Sequence, residues 1–363
     1  MDTTEGDSVF EVTKADLTQT RVVPEAVPTD LADGHVLLKI DRFAFTSNNI
    51  TYGVVGEGIG YWKFFPAQEG WGRIPASAFA DVVRSNHPDV HEGERVQGWF
   101  PMAHHLVIDA GAVTKHSIVD QAPHRADTAP VYRTYTKTAA DAQYSAEYED
   151  QHLLLYILFM TDFLVDDMIA GNDFYGADAF VIGSASSKTA ISLVHQLHAR
   201  GRGNVIGLTS PGNVAFVEGL EYYDKVVSYN DVESIENAPI VFIDHSGDGE
   251  VANRVHRHFG DNVKYSCMVG MTHVGAAPRA SGLPGAEPQF FFAPGEIQKL
   301  TAKLGTEGLQ RQIGDAWQRF RDASSDWLTV RRNVGAGAVE QIYQEVLEGR
   351  ARPDEGHILS MWT

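Results

Sequence analysis

Apolar and polar positions follow two different patterns, one over roughly the first hundred residues and another between residues 176 and 273. In the first part, apolar and polar residues alternate in short runs, and Pro and Gly separate the runs. A period of two with frequent turn residues predicts short, half-buried strands, which suits a small barrel. The clearest predicted strands cover residues 35–45, 79–86 and 95–100.

In the second part, short apolar runs alternate with amphipathic segments. Strands that alternate with helices form a parallel sheet covered on both faces. We predict strands at 176–186, 204–210, 224–229, 238–247 and 263–273, with helices at 187–200, 213–220 and 250–259.

The segments around this part are predicted from composition and helical periodicity. Residues 123–150 are polar, which favours a long connection or an inserted surface segment. The Gly/Pro-rich residues 275–288 indicate a loop. After the loop we predict helices over 294–323 and 337–348 and a strand at 358–363.

A further helix is predicted over 151–170. Its apolar run at 153–160 is too short to span a bilayer and indicates a buried helix. Asp162, Asp166 and Asp167 follow the run and favour a solvated helix end.

Composition narrows the classes of function. Of the 363 residues, 43% are hydrophobic and 21% are charged, a balance typical of a globular protein. Lys and Arg number 29 against 48 Asp and Glu, and the net charge of -19 disfavours nucleic-acid binding. The N-terminal segment has no apolar signal core, so we expect a cytoplasmic protein with no membrane partner. Cys267 is the only cysteine, which excludes an intrachain disulfide and a multi-cysteine zinc site.

The sequence VIGSAS at 181–186, followed by a helix, is the most informative local feature. A parallel strand that ends in small residues and leads into a helix forms an anion site, because the first helical N–H groups point at the anion. The usual G-x-G-x-x-G fingerprint is absent, and a Ser-rich turn that caps the helix is the alternative. Lys188 either touches a phosphate or extends into solvent. The candidate cofactor-binding residues of this turn are Ser184, Ser186, Ser187, Lys188 and Thr189.

The end of the second predicted strand bears on the choice of cofactor. In a doubly wound sheet this position holds the adenosine ribose; a carboxylate there suits NAD, whereas hydroxyl or basic groups suit the 2′-phosphate of NADP. This turn offers Thr209, Ser210 and Asn213, and the first acid after it is Glu218. The sequence therefore predicts NADP(H) as the cofactor.

Several segments resemble the zinc-independent branch of the medium-chain dehydrogenase/reductase superfamily, which contains quinone oxidoreductases and enoyl reductases. The first βαβ unit of that family is similar to GADAFVIGSASSKTAISLVHQLHARGRGNVIGLTS (176–210). Its N-terminal stretch is similar to DGHVLLKIDRFAFTSNNITYGVVG (33–56), and its G-[DE]-R-V strand pair to GERVQGWFPMAHHLVI (93–108). A domain-of-unknown-function family of this branch is similar in its NNITYG, SASSKTA and FFAP segments.

The resemblance implies an α/β fold class, with a GroES-like β-barrel domain and a Rossmann-type doubly wound parallel sheet. It places residues 1–130 and 294–363 in the barrel domain and residues 131–293 in the nucleotide-binding domain. It also implies that Tyr229 lies beside the adenine phosphate. Members of the superfamily are commonly dimers, so a homodimer is expected.

Zinc-dependent members of the superfamily carry a Cys after the first strand pair and a G-H-E motif. Here Ser47 and the segment SAFADVV (77–83) occupy those regions, so we expect no metal. The adjacent His104 and His105 would face opposite sides of a strand, which makes them poor ligands of one ion.

Candidate catalytic residues lie in the segment that resembles the family's cofactor-proximal turn. Asn48 or Asn49 would position the nicotinamide; an Asx turn is the alternative, because Asn-Asn is a common turn pair. Tyr52 is the candidate substrate-side donor, since a phenol can hydrogen-bond a carbonyl oxygen as charge develops. A packed aromatic residue with an exposed hydroxyl is the alternative.

Other candidates end the last two predicted strands, whose carboxyl ends face the ligand crevice. Thr272 would contact the cofactor, and His273 would contact nicotinamide or substrate or act as an acid, unless it is a structural loop histidine. Asp244 and His245 carry the same ambiguity. Residues that line an apolar substrate cleft, or else belong to the core, are Tyr132, Tyr135, Phe291 and Phe292. Cys267 is expected to be a small buried hydrophobe.

The predicted function is an NADP(H)-dependent oxidoreductase that transfers hydride to a small carbonyl compound such as an enone or a quinone. Two alternatives stay open, because a fold does not decide function. One is a non-redox lyase, for example one that cleaves a β-hydroxyketone by retro-aldol chemistry. The other is a catalytically silent NADP(H)-binding protein.

Overall fold

The structure, a computed structural model, describes residues 7–269, 281–291 and 293–363. In chain order, the strands are β1 (Ser8–Thr13), β2 (Thr20–Pro24), β3 (His35–Phe45), β4 (Trp71–Gly72), β5 (Ala76–Ser85), β6 (Arg95–Phe100), β7 (His105–Val113), β8 (Ser117–Asp120), β9 (Thr134–Lys137), β10 (Ala179–Gly183), β11 (Val205–Thr209), β12 (Lys225–Ser228), β13 (Ile240–Asp244), β14 (Val263–Met268), β15 (Gln289–Phe290), β16 (Thr329–Val334) and β17 (Glu355–Ser360). The α-helices are α1 (Ser47–Val54), α2 (Gly56–Ile59), α3 (Glu149–Gln151), α4 (Ile157–Gly171), α5 (Lys188–Ala199), α6 (Val214–Gly219), α7 (Gly249–Phe259), α8 (Ala293–Ser324) and α9 (Ala336–Leu347).

The chain divides into two units. The first comprises the described residues up to Leu154 together with Thr329–Thr363, and the second comprises the described part of Leu155–Leu328. Compared with the predicted division, residues 131–154 join the first unit and residues 294–328 join the second.

A closed antiparallel barrel forms the centre of the first unit. β3 pairs with β5 on one side and with β7 on the other, and β5, β6, β9, β8 and β7 pair in that order. In β3, the exposed Lys39 lies between the buried Leu38 and Ile40. The alternation in the sequence therefore determines which side chains of this strand face the interior of the barrel. β17 pairs with β3, and β16 lies parallel to β17. The predicted strands at 35–45, 79–86 and 95–100 are confirmed as β3, β5 and β6.

The polar segment 123–150 is more than the predicted connection, because it contains β9. Tyr135 of β9 is fully buried, and its hydroxyl accepts a hydrogen bond of 2.7 Å from Nη1 of Arg125. Four residues of strand within a polar segment are too short to produce a recognisable alternation, so the pattern did not reveal it.

A parallel sheet forms the centre of the second unit, with the strand order β12-β11-β10-β13-β14-β15. The order reverses between β10 and β13, so the carboxyl ends of these two strands flank the switch point where such sheets bind ligands. β10, β11 and β13 are buried throughout, as their continuous apolar runs predict. Helices α4, α5 and α8 pack together, whereas Val255 of α7 packs in a separate core with Val181 and Phe242. The predicted doubly wound sheet is confirmed.

The prediction of a solvated helix end after the apolar run is wrong. α4 continues to Gly171, and Asp162 and Asp166 within it are 0% and 3% exposed. Each carboxylate has a partner, His245 and Arg200 respectively, which the local pattern cannot show. None of the described helices combines the length and the hydropathy that a membrane span requires.

Candidate functional site

The first candidate region lies where β10, β11 and β12 end in the second unit. The parallel register aligns these ends, since Gly183 pairs with Leu208 and Thr209 pairs with Ser228. After Gly183 the chain turns at Ser184, whose φ of 57° is left-handed, and then enters α5. The turn brings the amino end of α5 to the same edge of the sheet.

Hydroxyl and amide groups from three strand ends meet at this edge. The Oγ atom of Ser186 accepts hydrogen bonds from Oγ1 of Thr209 (3.3 Å) and from Nδ2 of Asn213 (3.0 Å). The hydroxyl of Tyr229, which follows β12, is hydrogen-bonded to Ser184. The fold therefore brings five predicted cofactor-binding residues together. We call Ser184, Ser186, Thr209, Asn213 and Tyr229 the strand-end cluster.

The groups of the strand-end cluster are neutral. Burial raises the pKa of Tyr229 to about 12, although its hydrogen bonds with Ser184 oppose that shift, so the phenol stays protonated at neutral pH. Ser210 and Asn213 are half-buried, and the first acid after β11, Glu218, is exposed on α6. An anion at this edge would therefore meet hydrogen-bond donors and no carboxylate from the turn after β11.

Ser187 caps α5, which agrees with the alternative interpretation that the Ser-rich turn serves to cap this helix. Its Oγ atom accepts a hydrogen bond of 3.2 Å from the N–H of Ala190. Lys188 and Thr189 are the first residues of the helix and are half-buried. The cap fixes where the helix begins, so the partial positive charge of its amino end is directed at the strand-end cluster.

Two glycines are required by packing at the strand ends. A Cβ atom on Gly207 would lie 2.9 Å from the Cβ atom of Ala185, and one on Gly183 would lie 3.1 Å from Oδ1 of Asp244. That oxygen already accepts hydrogen bonds from the N–H and the hydroxyl of Ser246, at 2.8 and 2.6 Å. The small residues thus allow neighbouring strand ends to approach each other.

The second candidate region is α1 of the first unit, where the sequence offered a nicotinamide contact or an Asx turn. Oδ1 of Asn49 accepts a hydrogen bond from the N–H of Thr46 (2.8 Å), and its Nδ2 atom donates to the carbonyl oxygen of Pro75 (2.9 Å). Asn49 therefore caps α1 and ties it to the neighbouring chain. Asn48 is half-buried, and its Nδ2 atom donates to the hydroxyl oxygen of Tyr52 at 2.9 Å.

Tyr52 lies among other aromatic side chains. Its ring centroid is 4.7 Å from that of Tyr61 and 5.2 Å from that of Trp99, and the hydroxyl oxygens of Tyr61 and Tyr132 are 3.1 Å apart. Burial raises the pKa of Tyr52 and that of Tyr132 well above the usual range of a phenol, so both stay protonated. Within the described residues, the Tyr52 hydroxyl accepts the hydrogen bond from Asn48 and donates none. We call Tyr52, Tyr61 and Tyr132 the phenol cluster.

The sequence singled out Tyr52 and Tyr132 but missed Tyr61 and Trp99. Tyr61 lies in a single helical turn after α2, and Trp99 lies in β6. Aromatic residues belong to the core by default, so neither stood out. A usable signal is the density of aromatic residues at 61–65, which residues 54–60 separate from the NNITYG segment.

A buried pair in the second unit was also missed. Nε2 of His245, directly after β13, lies 3.0 Å from Oδ1 of Asp162 in α4, and the two side chains are 1% and 0% exposed. Burial raises the pKa of the Asp162 carboxyl, and the contact with His245 opposes that shift. Within the described residues, Oδ2 of Asp162 and Nδ1 of His245 have no hydrogen-bond partner.

The remaining candidate residues lie either in the core or outside the described part of the chain. Tyr135 and Phe291 are buried core residues. Cys267 is buried as predicted, and burial, followed by the Asp162 carboxylate, raises the pKa of its thiol to about 12. Thr272, His273 and Phe292 lie outside the described residues.

No metal site emerges from the side chains that the structure describes. Among residues 7–269, 281–291 and 293–363, no group of three or more His, Cys, Asp or Glu side chains is arranged to hold an ion.

Comparison with known proteins gives one family and a set of folds. A family model described as "Protein of unknown function (DUF2855)" matches residues 43–352. A comparison with curated protein sequences gives no significant match.

Solved structures resemble the chain over nearly its whole length. CurA from Vibrio vulnificus is 12% identical with a TM-score of 0.57, covering 98% of this chain and 99% of its own; a complex of CurA with NADPH is also known. The YhdH oxidoreductase from Salmonella enterica, in complex with NADP, is 13% identical with a TM-score of 0.52 and the same coverage. A mutant form of enoyl thioester reductase from Candida tropicalis is 13% identical with a TM-score of 0.53, covering 98% and 99%. At such identities the likeness shows the fold, a GroES-like barrel with a Rossmann-type sheet, and the predicted fold class is confirmed.

Proposed function

We propose that this chain, which belongs to the DUF2855 family of proteins of unknown function, is an NADP(H)-dependent oxidoreductase of the zinc-independent medium-chain dehydrogenase/reductase type. Its proposed reaction is hydride transfer to an electron-poor carbon of a small carbonyl compound, such as an enone or a quinone. Support comes from the fold it shares with CurA and with YhdH, whose structures contain NADPH and NADP.

The strand-end cluster carries this proposal. Ser186 and Asn213 place hydrogen-bonding groups beside the end of β11, where a doubly wound sheet holds the adenosine ribose. No carboxylate occurs between Thr209 and Val217, so nothing in that turn would repel a 2′-phosphate. The donors are neutral, so we expect a preference for NADP(H) of about tenfold to a hundredfold over NAD(H).

The residues present fit the cofactor in two places. Ser186, Ser210 and Asn213 would hold the 2′-phosphate through hydroxyl and amide donors, and Thr209, whose hydroxyl donates to Ser186, would orient that group. The left-handed turn and the amino end of α5 would hold the pyrophosphate, as backbone N–H groups do in this fold. When bound, the cofactor supplies a hydride from C4 of its nicotinamide ring. Further proposed contacts are Asn48, Asn49, Ser184, Ser187, Lys188, Thr189, Tyr229 and Thr272.

The phenol cluster would receive the substrate carbonyl. The Tyr52 hydroxyl accepts from Asn48, which leaves its own hydrogen available to an oxygen that gains negative charge. The rings of Tyr61 and Trp99 beside it would suit a planar, apolar substrate such as an enone or quinone. We also propose that the protein acts as a homodimer, needs no metal, and uses His273 as a further substrate contact.

Calorimetric titration with NADPH and with NADH tests the cofactor assignment. The wild type should bind NADPH more tightly. Ser210→Asp places a carboxylate at the end of β11 and should lower NADPH affinity by about tenfold, because like charges repel. Ser210→Asn introduces a neutral side chain of the same size as Asp and should leave the preference for NADPH over NADH unchanged.

Equal affinities for both cofactors in the wild type would contradict the assignment at β11. Binding of neither cofactor would overturn the oxidoreductase proposal itself. NADPH consumption with a panel of enones, quinones and ketones then tests turnover; product formation without any cofactor would favour a lyase.

A further inference from the structure

We propose that the buried Asp162–His245 pair sets the relative affinity of this protein for the oxidised and reduced forms of its nicotinamide cofactor. The pair would keep a proton when the neutral, reduced ring is bound and release it to solvent when the cationic, oxidised ring is bound. This inference rests on the proposed NADP(H)-binding function, and it assigns a role to two residues that the proposed hydride transfer does not otherwise use.

The geometry of the pair favours a role beyond packing. Oδ1 of Asp162 and Nε2 of His245 are 3.0 Å apart, and both side chains are at least 99% buried. Each residue also buries a second polar atom, Oδ2 and Nδ1, that has no hydrogen-bond partner within the described residues. Burying such atoms unpaired costs stability, so a pair that served packing alone would be replaced by apolar side chains without loss.

The position of the pair points to the nicotinamide half of the cofactor. His245 follows β13 directly, at the carboxyl edge of the sheet and beside the switch point. The adenosine half binds toward β11 and β12, so the nicotinamide half extends toward β13 and β14. A charge change on the pair would therefore act on the charge of the nicotinamide ring through a medium of low polarity.

The titratable side chains around Asp162 are Asp166, Tyr223, Cys267 and, within the pair, His245. Burial, followed by the Asp162 carboxylate, raises the pKa of Tyr223 well above 10 and that of Cys267 to about 12, so both stay neutral. Oδ1 of Asp244 accepts hydrogen bonds from the N–H and the hydroxyl of Ser246. With the proton present the pair is neutral overall, and without it the pair carries one negative charge.

Asp166 provides a matched control. It lies one helical turn beyond Asp162 in α4, about 6 Å further along the axis, and burial raises its pKa to about 6. Its carboxylate accepts hydrogen bonds of 2.7 and 2.9 Å from Nε of Arg200, which follows the carboxyl end of α5. α5 runs away from the strand-end cluster, so Asp166 is a buried, titrating carboxylate that lies further from the nicotinamide edge.

The experiment is calorimetric titration of the full-length protein with NADP⁺ and with NADPH, from about pH 6 to about pH 9, in buffers of different ionisation enthalpy. Both cofactor forms carry the same 2′-phosphate, so its ionisation cancels in the ratio of their affinities. In the wild type, the ratio of NADP⁺ affinity to NADPH affinity should rise with pH by roughly tenfold. NADP⁺ binding should also release a larger fraction of a proton than NADPH binding does.

In Asp162→Asn, the ratio of NADP⁺ affinity to NADPH affinity should not change with pH. In Asp166→Asn, the ratio should rise with pH as it does in the wild type. If the pair had a purely structural role, Asp162→Asn would change the affinities for NADP⁺ and NADPH together and leave their ratio as in the wild type. A constant ratio in the wild type, or a wild-type rise in Asp162→Asn, would overturn the inference while the proposed function stands. Binding of neither cofactor would overturn both. If Asp162→Asn does not fold, the wild-type ratio and proton release decide alone, because they need no variant.

Discussion

At the scale of single residues, the Tyr52 hydroxyl is the group whose hydrogen bonds bear most directly on chemistry. It accepts a bond of 2.9 Å from Asn48, and among the described residues it donates to no acceptor. Burial keeps the phenol protonated by raising its pKa, so the hydroxyl is prepared to donate at neutral and moderately alkaline pH. An orienting amide on one side and an unused hydrogen on the other are what an oxyanion donor needs.

Tyr52→Phe should lower kcat by about a hundredfold, because it removes one donor to the developing oxyanion and keeps the ring. Its contacts with Tyr61 and Trp99 should persist, so the melting temperature should change little. Steady-state kinetics with the best substrate of the panel measures the effect. Tyr222→Phe, which removes a phenol hydroxyl in the second unit, is the control and should retain activity; unchanged turnover in Tyr52→Phe would refute the donor role.

At the scale of elements, α5 buries polar side chains as well as apolar ones. Ser192, His195 and Gln196 are 0%, 9% and 4% exposed, and each has a side-chain atom without a hydrogen-bond partner in the described residues. The His195 ring packs 5.4 Å from Phe320 and 5.5 Å from Tyr222. Burial, followed by the positive charges of neighbouring side chains, lowers the pKa of His195 to about 4.

This lowered pKa predicts a loss of stability in acid. The unfolded chain binds a proton at His195 near pH 6.5, whereas the folded chain does so only near pH 4, so protonation favours unfolding between these values. The free energy of unfolding should therefore fall by up to about 3 kcal/mol as the pH drops from about 6.5 to about 4. Above about pH 6.5, the pKa of His195 in the unfolded chain, the neutral His195 ring makes its full contribution to the stability of the folded protein.

His195→Gln should remove this part of the acid-induced decline, and urea unfolding at several pH values measures it. His91→Gln, at an exposed histidine of the first unit, should decline as the wild type does. An equal decline in His195→Gln and the wild type would show that the buried ring does not cause it.

At the scale of the whole molecule, the two units contribute different chemistry, hydrogen-bond donors for an anion in one and phenols in the other. Neither shows, among the residues that are described, a group of side chains suited to a metal. Because Cys267 is the only cysteine and the segment at 77–83 lacks the G-H-E motif of zinc-dependent members, we predict that cofactor binding and turnover are independent of metal. After dialysis against a strong chelator, NADPH affinity and turnover should be unchanged, with metal content far below one ion per chain. Stoichiometric zinc with activity lost on chelation and restored by zinc would contradict this.

Local pattern predicted five of the six strands of the parallel sheet, all but β15, but not the side-chain contacts between its strand ends and the helices. Continuous apolar runs predicted β10, β11 and β13, and their ends located Ser186, Thr209 and Asn213, because in a parallel sheet strand ends share one edge. The bond between Asp162 and His245 joins residues 83 positions apart, and no periodicity encodes it. The helix α1 was missed for a different reason, since Asn-Asn and Gly within it favour turns.

The pairing of β17 with β3 has a consequence for how the protein is made. His357 pairs with Phe45, and the indole N–H of Trp362 donates to the carbonyl oxygen of Ile40, 322 positions earlier. On the ribosome, β3 emerges more than 300 residues before its partner β17. The second unit, being one continuous stretch of chain, can fold in between. Until β17 is translated, the end of β3 thus lacks its partner and is exposed to pairing with other nascent chains, a hazard that chaperones relieve.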